Sequence, residues 1–133
     1  IYGSPKYLEK HGFPKNINDL NKHSFISFGR GAPSPVYNPD WALKLGTKDN
    51  KKRKTVMKVN SVYGLLLAVQ SGVGLAALPD YITVNQPNIV KVLPNVEGPI
   101  TEAHFVYPQS MKNVARVQAF RNFLYSKISE WEF

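Results

Sequence analysis

The stretch "SVYGLLLAVQSGVGLAALPDY", Ser61 to Tyr81, restricts the fold of this chain more than any other. Val62, Leu65, Leu66 and Val69 recur at the i, i+3, i+4, i+7 spacing of a helix with one apolar face. Gly72 ends that helix, and "GLAALP" reads as a short buried strand, Leu75 to Leu78, stopped by Pro79. The order is helix, glycine, strand. A phosphate cradle needs its glycines after a strand and before a helix, where the helix N-terminus supplies N–H groups and the positive dipole end. Gly72 is therefore read as the glycine that closes a helix C-terminus, and nucleotide cradling is excluded.

Other elements follow from local punctuation. "GSPKYLEKHGFP" has Ser4 as an N-cap, Pro5 at the first helical position, Gly12 at the end and Pro14 beyond it. "NINDLNKH" makes a further short helical turn, and "SFISF", Ser24 to Phe28, alternates as a strand does. The glycines and prolines of "GRGAPSP" break that strand and make a loop whose backbone can approach a ligand. Trp41 to Leu45 and Thr55 to Asn60 are expected as the two strands of a hairpin, followed by a helix from Ser61 to Ser71. Two more strands are expected at Ile89 to Leu93 and Glu102 to Tyr107. A last helix places Val117, Phe120, Leu124, Ile128 and Trp131 on one face. Strands alternating with helices give an α/β domain, with the hairpin as an antiparallel element.

With 133 residues and 43% apolar content, the chain can bury one core. No apolar run reaches the roughly 18 residues of a membrane span, so no membrane insertion is expected, and the N-terminus carries no charged and apolar leader. The absence of cysteine removes disulfides and thiolate metal sites and permits a reducing cytoplasm. His11, His23 and His104 stand far apart and read as surface or capping residues, so no metal is expected. The net charge of +8 invites a nucleic-acid reading, and the densest run is Lys51, Lys52, Arg53 and Lys54. Placed between the two hairpin strands, that run is expected as a solvated turn. No aromatic residue interleaves with it to stack single-stranded bases.

In an open α/β sheet, ligands bind outside the carboxyl ends of the strands. Asn60 and Ser61 end a strand and begin a helix, so their side chains and the free N–H groups behind them suit a carboxylate. Simple N-capping accounts for the same two residues, and both readings stay open. Arg30 can add a counter-charge from the "FGRG" loop, or be merely solvated. An enzyme needs an activated nucleophile or a matched acid/base pair. The nine carboxylates, Glu9, Asp19, Asp40, Asp49, Asp80, Glu97, Glu102, Glu130 and Glu132, show no paired spacing. Asp80, after a proline at a strand end, reads as a helix cap, and no catalytic residue is expected.

Taken together, "GSPKYLEKHGFPKNINDLNKHSFISF", "VNSVYGLLLAVQSGVGLAALPDYI" and "VKVLPNVEGPITEAHFVYPQSMKNVARVQAFRNFL" resemble the effector-binding domain of LysR-type transcriptional regulators, in order and over nearly the whole chain. The resemblance implies a two-lobed, periplasmic-binding-protein-like (type 2) fold with a small effector in the cleft between lobes. Residues 1-103 are then the second lobe with its mixed sheet, and residues 104-133 the C-terminal strand and helix returning to the first lobe. It implies Tyr2, Gly3, Phe28, Gly29, Arg30, Asn60, Ser61 and Val62 as the effector-binding residues, with a small organic acid as ligand and no cofactor. DNA binding in the parent protein is expected through an N-terminal winged helix-turn-helix absent from this sequence, in a cytoplasmic homo-oligomer such as a dimer. Uncovered, the C-terminal helix face is an incentive to self-association. A solute-binding receptor of a transport system, sharing the fold, is the alternative.

Overall fold

A computed structural model describes residues 1–29, 38–100 and 102–130. Two units emerge, Ile1–Thr101 and Glu102–Phe133.

In the first unit, the caps expected from the sequence set the helices. Helix α1 spans Pro5–His11; the Ser4 side chain accepts a hydrogen bond from the Tyr7 N–H, and Gly12 closes the helix at φ 84°. A 3-10 helix covers Ile17–Lys22, with Asn16 and Asp19 capping each other's backbone N–H groups. Helix α2 runs Val62–Gln70 from the Ser61 cap. Its end is a Schellman motif: the Gly72 N–H donates to Val69 O at 2.9 Å and the Val73 N–H to Ala68 O at 3.2 Å. Gly72 sits at φ 79°, the left-handed region that this motif requires. Gly74 meets a different constraint, since a Cβ there would lie 2.6 Å from Ser24 O.

The strands are short. Strand β1, Tyr2–Gly3, pairs antiparallel with β4, Val90–Lys91, and β2, Phe25–Phe28, pairs in parallel with β3, Thr55–Val59. Between the pairs runs the Leu75-Ala76 segment. Ala76 exchanges backbone hydrogen bonds with Tyr2 at 2.8 and 3.1 Å; Leu75 accepts from the Ile26 N–H at 2.8 Å and donates to Ser24 O at 2.9 Å. The spatial order is β4, β1, Leu75-Ala76, β2, β3. Alternate residues face opposite sides of this assembly. Phe25 and Leu75 join Tyr7, Leu8, Leu20 and Leu43 in one apolar cluster, whereas Tyr2, Ile26, Phe28 and Ala76 join the Leu65, Leu66 and Val69 face of α2 in another. A sheet buried on both faces gives apolar runs in place of clean alternation, as "SFISF" and "GLAALP" show.

Several expected elements are corrected. The hairpin does not form. Trp41–Leu43 is a 3-10 turn, with Leu43 N–H donating to Asp40 O and Lys44 N–H to Trp41 O, and Ala42 and Leu43 are buried. Alternation in "WALKL" fits such a turn as well as a strand, and β3 has found β2 as its neighbour instead. Arg53 is consequently not in a solvated turn; it is buried. Leu75, Ala76 and Leu78 are buried as expected and Ala77 is half-buried, but only Leu75 and Ala76 make sheet bridges. Of Ile89 to Leu93, only Val90–Lys91 forms a strand, and Leu93 turns the chain at φ 54°. Asp80 opens helix α3, Asp80–Thr83, without capping it; Pro79 holds the cap position and makes no side-chain bond.

The second unit contains a 3-10 turn at Gln109–Met111 and helix α4 at Ala115–Ser129. Glu102 to Tyr107, expected as a strand, makes no strand pairing; a strand needs a second backbone, and the elements described in this unit are helical. No residue of α4 is buried; Phe120 and Ile128 on the expected face are about half exposed, and Trp131 lies outside the described residues.

Candidate functional site

Parallel pairing brings the carboxyl ends of β2 and β3 to the same edge, with Phe28 opposite Val59. The Gly29 N–H donates to Val59 O at 2.6 Å, which continues the ladder one step past Phe28. A Cβ on Gly29 would sit 3.8 Å from the Asn60 Cβ, so the two loop starts touch. Four of the expected residues, Phe28, Gly29, Asn60 and Ser61, are thereby adjacent. Val62 follows as the first residue of α2 and packs, half-buried, on the α2-facing cluster.

Asn60 and Ser61 are exposed. Ser61 has extended backbone, and its Oγ accepts from the Gly64 N–H at a long 3.4 Å. The Ser61 carbonyl takes the Leu65 N–H at 3.0 Å. Among the described residues, the Val62 and Tyr63 N–H groups have no acceptor, the ordinary condition of a first helical turn. The edge thus offers an anion two amide donors, a hydroxyl and an Asn side chain, with the positive end of the α2 dipole behind them.

Tyr2 and Gly3 lie in β1, two positions across the assembly from β2. Tyr2 is buried, and its hydroxyl is already engaged: it donates to Asp80 Oδ1 at 2.8 Å and accepts from Thr83 Oγ1 at 3.1 Å. Burial raises its pKa, the Thr83 hydrogen bond opposes this, and the Asp80 carboxylate adds to it. Lys91 Nζ stands 3.5 Å from the same Asp80 oxygen. At Gly3 a Cβ would meet Leu75 Cδ2 at 2.6 Å, so its place in β1 is set by close packing. Arg30 lies outside the described residues.

Sequence reasoning missed Asp40. Its Oδ1 accepts the Phe28 N–H at 3.0 Å. Ile26 and Phe28 direct their N–H groups to the same side, by the period of a strand. Ile26 finds Leu75 O there, but beyond Ala76 the neighbour no longer pairs, and the Asp40 carboxylate supplies the acceptor for Phe28. Lys52 Nζ, 3.9 Å from Oδ2, offsets part of its charge. The turn-forming "NPD" before Trp41 was the available signal, but nothing in it points to a strand end so far upstream. Among the described residues, no group of three or more histidine, aspartate or glutamate side chains is placed to hold a metal. No described helix is long and apolar enough to cross a membrane.

A family model described as LysR substrate binding domain matches residues 1–128. An uncharacterized HTH-type transcriptional regulator of Haemophilus influenzae is 31% identical over 109 residues, covering 79% of this chain and 36% of that protein. The uncharacterized HTH-type transcriptional regulator YhjC of Escherichia coli is 26% identical over 132 residues, 96% of this chain and 44% of its own length. The match therefore spans less than half the length of either relative.

Proposed function

This chain belongs to the LysR substrate binding domain family, and from that premise we propose that it senses a small organic anion for a bacterial transcriptional regulator. The observation that carries the reading is the Phe28-Val59 register, which sets Phe28-Gly29 beside Asn60-Ser61 under the open N-terminus of α2. The anion sits on Ser61 Oγ, the Asn60 side chain and the Val62 and Tyr63 amides. Arg30 supplies counter-charge, and Tyr2 and Gly3 line the far side through their backbone.

Residues 1-103 act as the second lobe of a periplasmic-binding-protein-like domain, with residues 104-133 returning to a first lobe; the separation into units at Thr101 and Glu102 supports this division. DNA is engaged by a helix-turn-helix elsewhere in the regulator, the feature that the relatives' names carry, and the regulator works as a cytoplasmic homo-oligomer. The bound anion acts by preferring one regulator conformation over another, so no chemical step is involved.

Thermal unfolding against a panel of small carboxylic acids tests the reading, using this chain and the complete regulator. A binding acid raises the midpoint with concentration. Ser61→Ala, losing a hydrogen bond to a charged group, weakens binding by about 1.5–3 kcal/mol, one to two powers of ten in Kd. No response to any acid in either protein, or a response that Ser61→Ala leaves intact, overturns it.

A further inference from the structure

Lys51, Lys52 and Lys54 stand exposed around an arginine that is buried, with only 7% of its surface accessible. A basic run in a loop is ordinarily mobile, but this one is fixed at its centre. The Arg53 N–H donates to Leu43 O at 2.9 Å; its guanidinium donates to Asn21 Oδ1 and Ala42 O at 2.9 Å each and to Ile17 O at 3.3 Å. On either side, the Lys51 N–H donates to Lys48 O at 3.1 Å and Lys54 O accepts from the Phe25 N–H at 3.3 Å. Neighbours along an extended chain project to opposite sides. With Arg53 turned inward, Lys52 and Lys54 both face solvent, and Lys44, Lys48 and Lys58 are exposed nearby in the chain.

Little neutralises this edge. Among the described residues, Lys51 and Lys54 have no ion-pair partner, and Lys52 reaches Asp40 only at 3.9 Å. Asp49 lies in the preceding turn without an ion pair among the described residues. Lysines held by an ordered backbone lose less freedom on meeting a fixed array of anions. No aromatic residue occurs from Lys44 to Lys58, which leaves nothing for unpaired bases to stack on. Lysines without base-reading companions bind phosphates and position a protein on a duplex; they do not specify sequence.

We propose that the edge carrying Lys51, Lys52 and Lys54 contacts the phosphate backbone of duplex DNA, independently of sequence. This rests on the reading of the chain as the sensing part of a DNA-bound regulator, since that reading brings the edge near a duplex.

Fluorescence anisotropy of a short labelled duplex, titrated with the 133-residue chain at increasing salt, tests it. Binding should weaken steeply between about 50 and 200 mM salt and be equal for a shuffled duplex. The triple variant Lys51→Gln, Lys52→Gln, Lys54→Gln should bind at least tenfold more weakly at the lowest salt. Its dependence of log K on log salt should be shallower by about 0.9 for each phosphate that is no longer neutralised, roughly 2.7 for three. Thermal unfolding of the variant should match the parent chain, since the three side chains are exposed. The parent chain's affinity and slope retained in the variant overturn the proposal. So does tighter binding by the parent chain to polyglutamate, or to phosphatidylserine vesicles, than to the duplex. None of the three lysines is among the groups proposed to hold the acid, and the Lys51→Gln, Lys54→Gln double variant leaves the Lys52–Asp40 contact in place, so loss of either result leaves the other interpretable.

Discussion

Arg53 shows how a single side chain can tie three segments together. Burial pushes its pKa down, yet an arginine stays protonated at any ordinary pH, so the charge must be met where it lies. Ile17, Asn21 and Ala42 meet it with oxygen acceptors, and the Phe25 ring lies 5.9 Å from the guanidinium carbon. Arg53→Met should keep the packing volume but strand those acceptors, destabilising the chain by about 2–3 kcal/mol. Arg53→Lys should recover only part of this, because an ammonium cannot reproduce the planar fork. Urea titration measures both, and a lysine variant as stable as the parent chain would contradict the role of the fork. His23 has the opposite electrostatic preference. It is buried, its Nδ1 has no partner in the described structure, and burial first, then the nearby positive groups His11 and Lys22, lower its pKa from the ordinary 6.5, with Asp19 opposing. The unfolded chain takes up this proton more readily than the folded one. The contribution of His23 to stability is therefore fully present above about pH 6.5 and is lost as pH drops through the lower folded value. Asp19, also lowered, chiefly by the Lys15 N–H, adds a further loss only below about pH 3.8. Denaturant midpoints from pH 7.5 down to about 5 should decline more steeply in the parent chain than in His23→Gln.

Among the elements, α2 depends most visibly on one position. Gly72→Ala puts a Cβ on a residue at φ 79°, costing roughly 1–2 kcal/mol, while the new carbon meets Ser4 Oγ at a tight 3.4 Å. Thermal unfolding should show the loss, with an equal loss absent from an Ala substitution at exposed Ser71. Such caps are legible in a sequence because both ends of each interaction lie within a few residues: Ser4 with Tyr7, Asn16 with Asp19, Ser61 with Gly64. The strand-to-helix junction at Asn60-Ser61 is legible for the same reason. Strand partners are not local. Nothing in "TVMKV" says whether it pairs with Trp41 to Leu45 or with Phe25–Phe28, and β propensity chiefly reports fit to a half-buried surface. Glu102 to Tyr107 has the composition of a strand and no backbone in its unit to pair with. Asp40 escaped notice because its importance comes from the place where the Leu75-Ala76 neighbour stops pairing, a property of the assembled sheet alone.

For the whole molecule, stability is unevenly distributed. The first unit buries residues on both sides of its sheet, whereas α4 in the second buries none. A helix of 15 residues that buries none of them, with Phe120 resting only edge-on against Phe105, is marginal in water. Amides of Ala115–Ser129 should thus exchange hydrogen long before those of Ile26, Leu75 and Val92, which donate within the core. Protection in α4 equal to that of the core would show that another surface covers it. The Leu75-Ala76 segment also dictates an order of events in time. Strand β2 finds β3 and then α2 within the next few dozen residues, but Tyr2 must wait for Ala76 on one side and Lys91 on the other. Closing such long loops is entropically slow and gives no return until the last contact forms. On a ribosome, β1 precedes both of its partners and is secured only after they have emerged. Until then it is an unpaired strand, and its open edge is a site that a chaperone can protect.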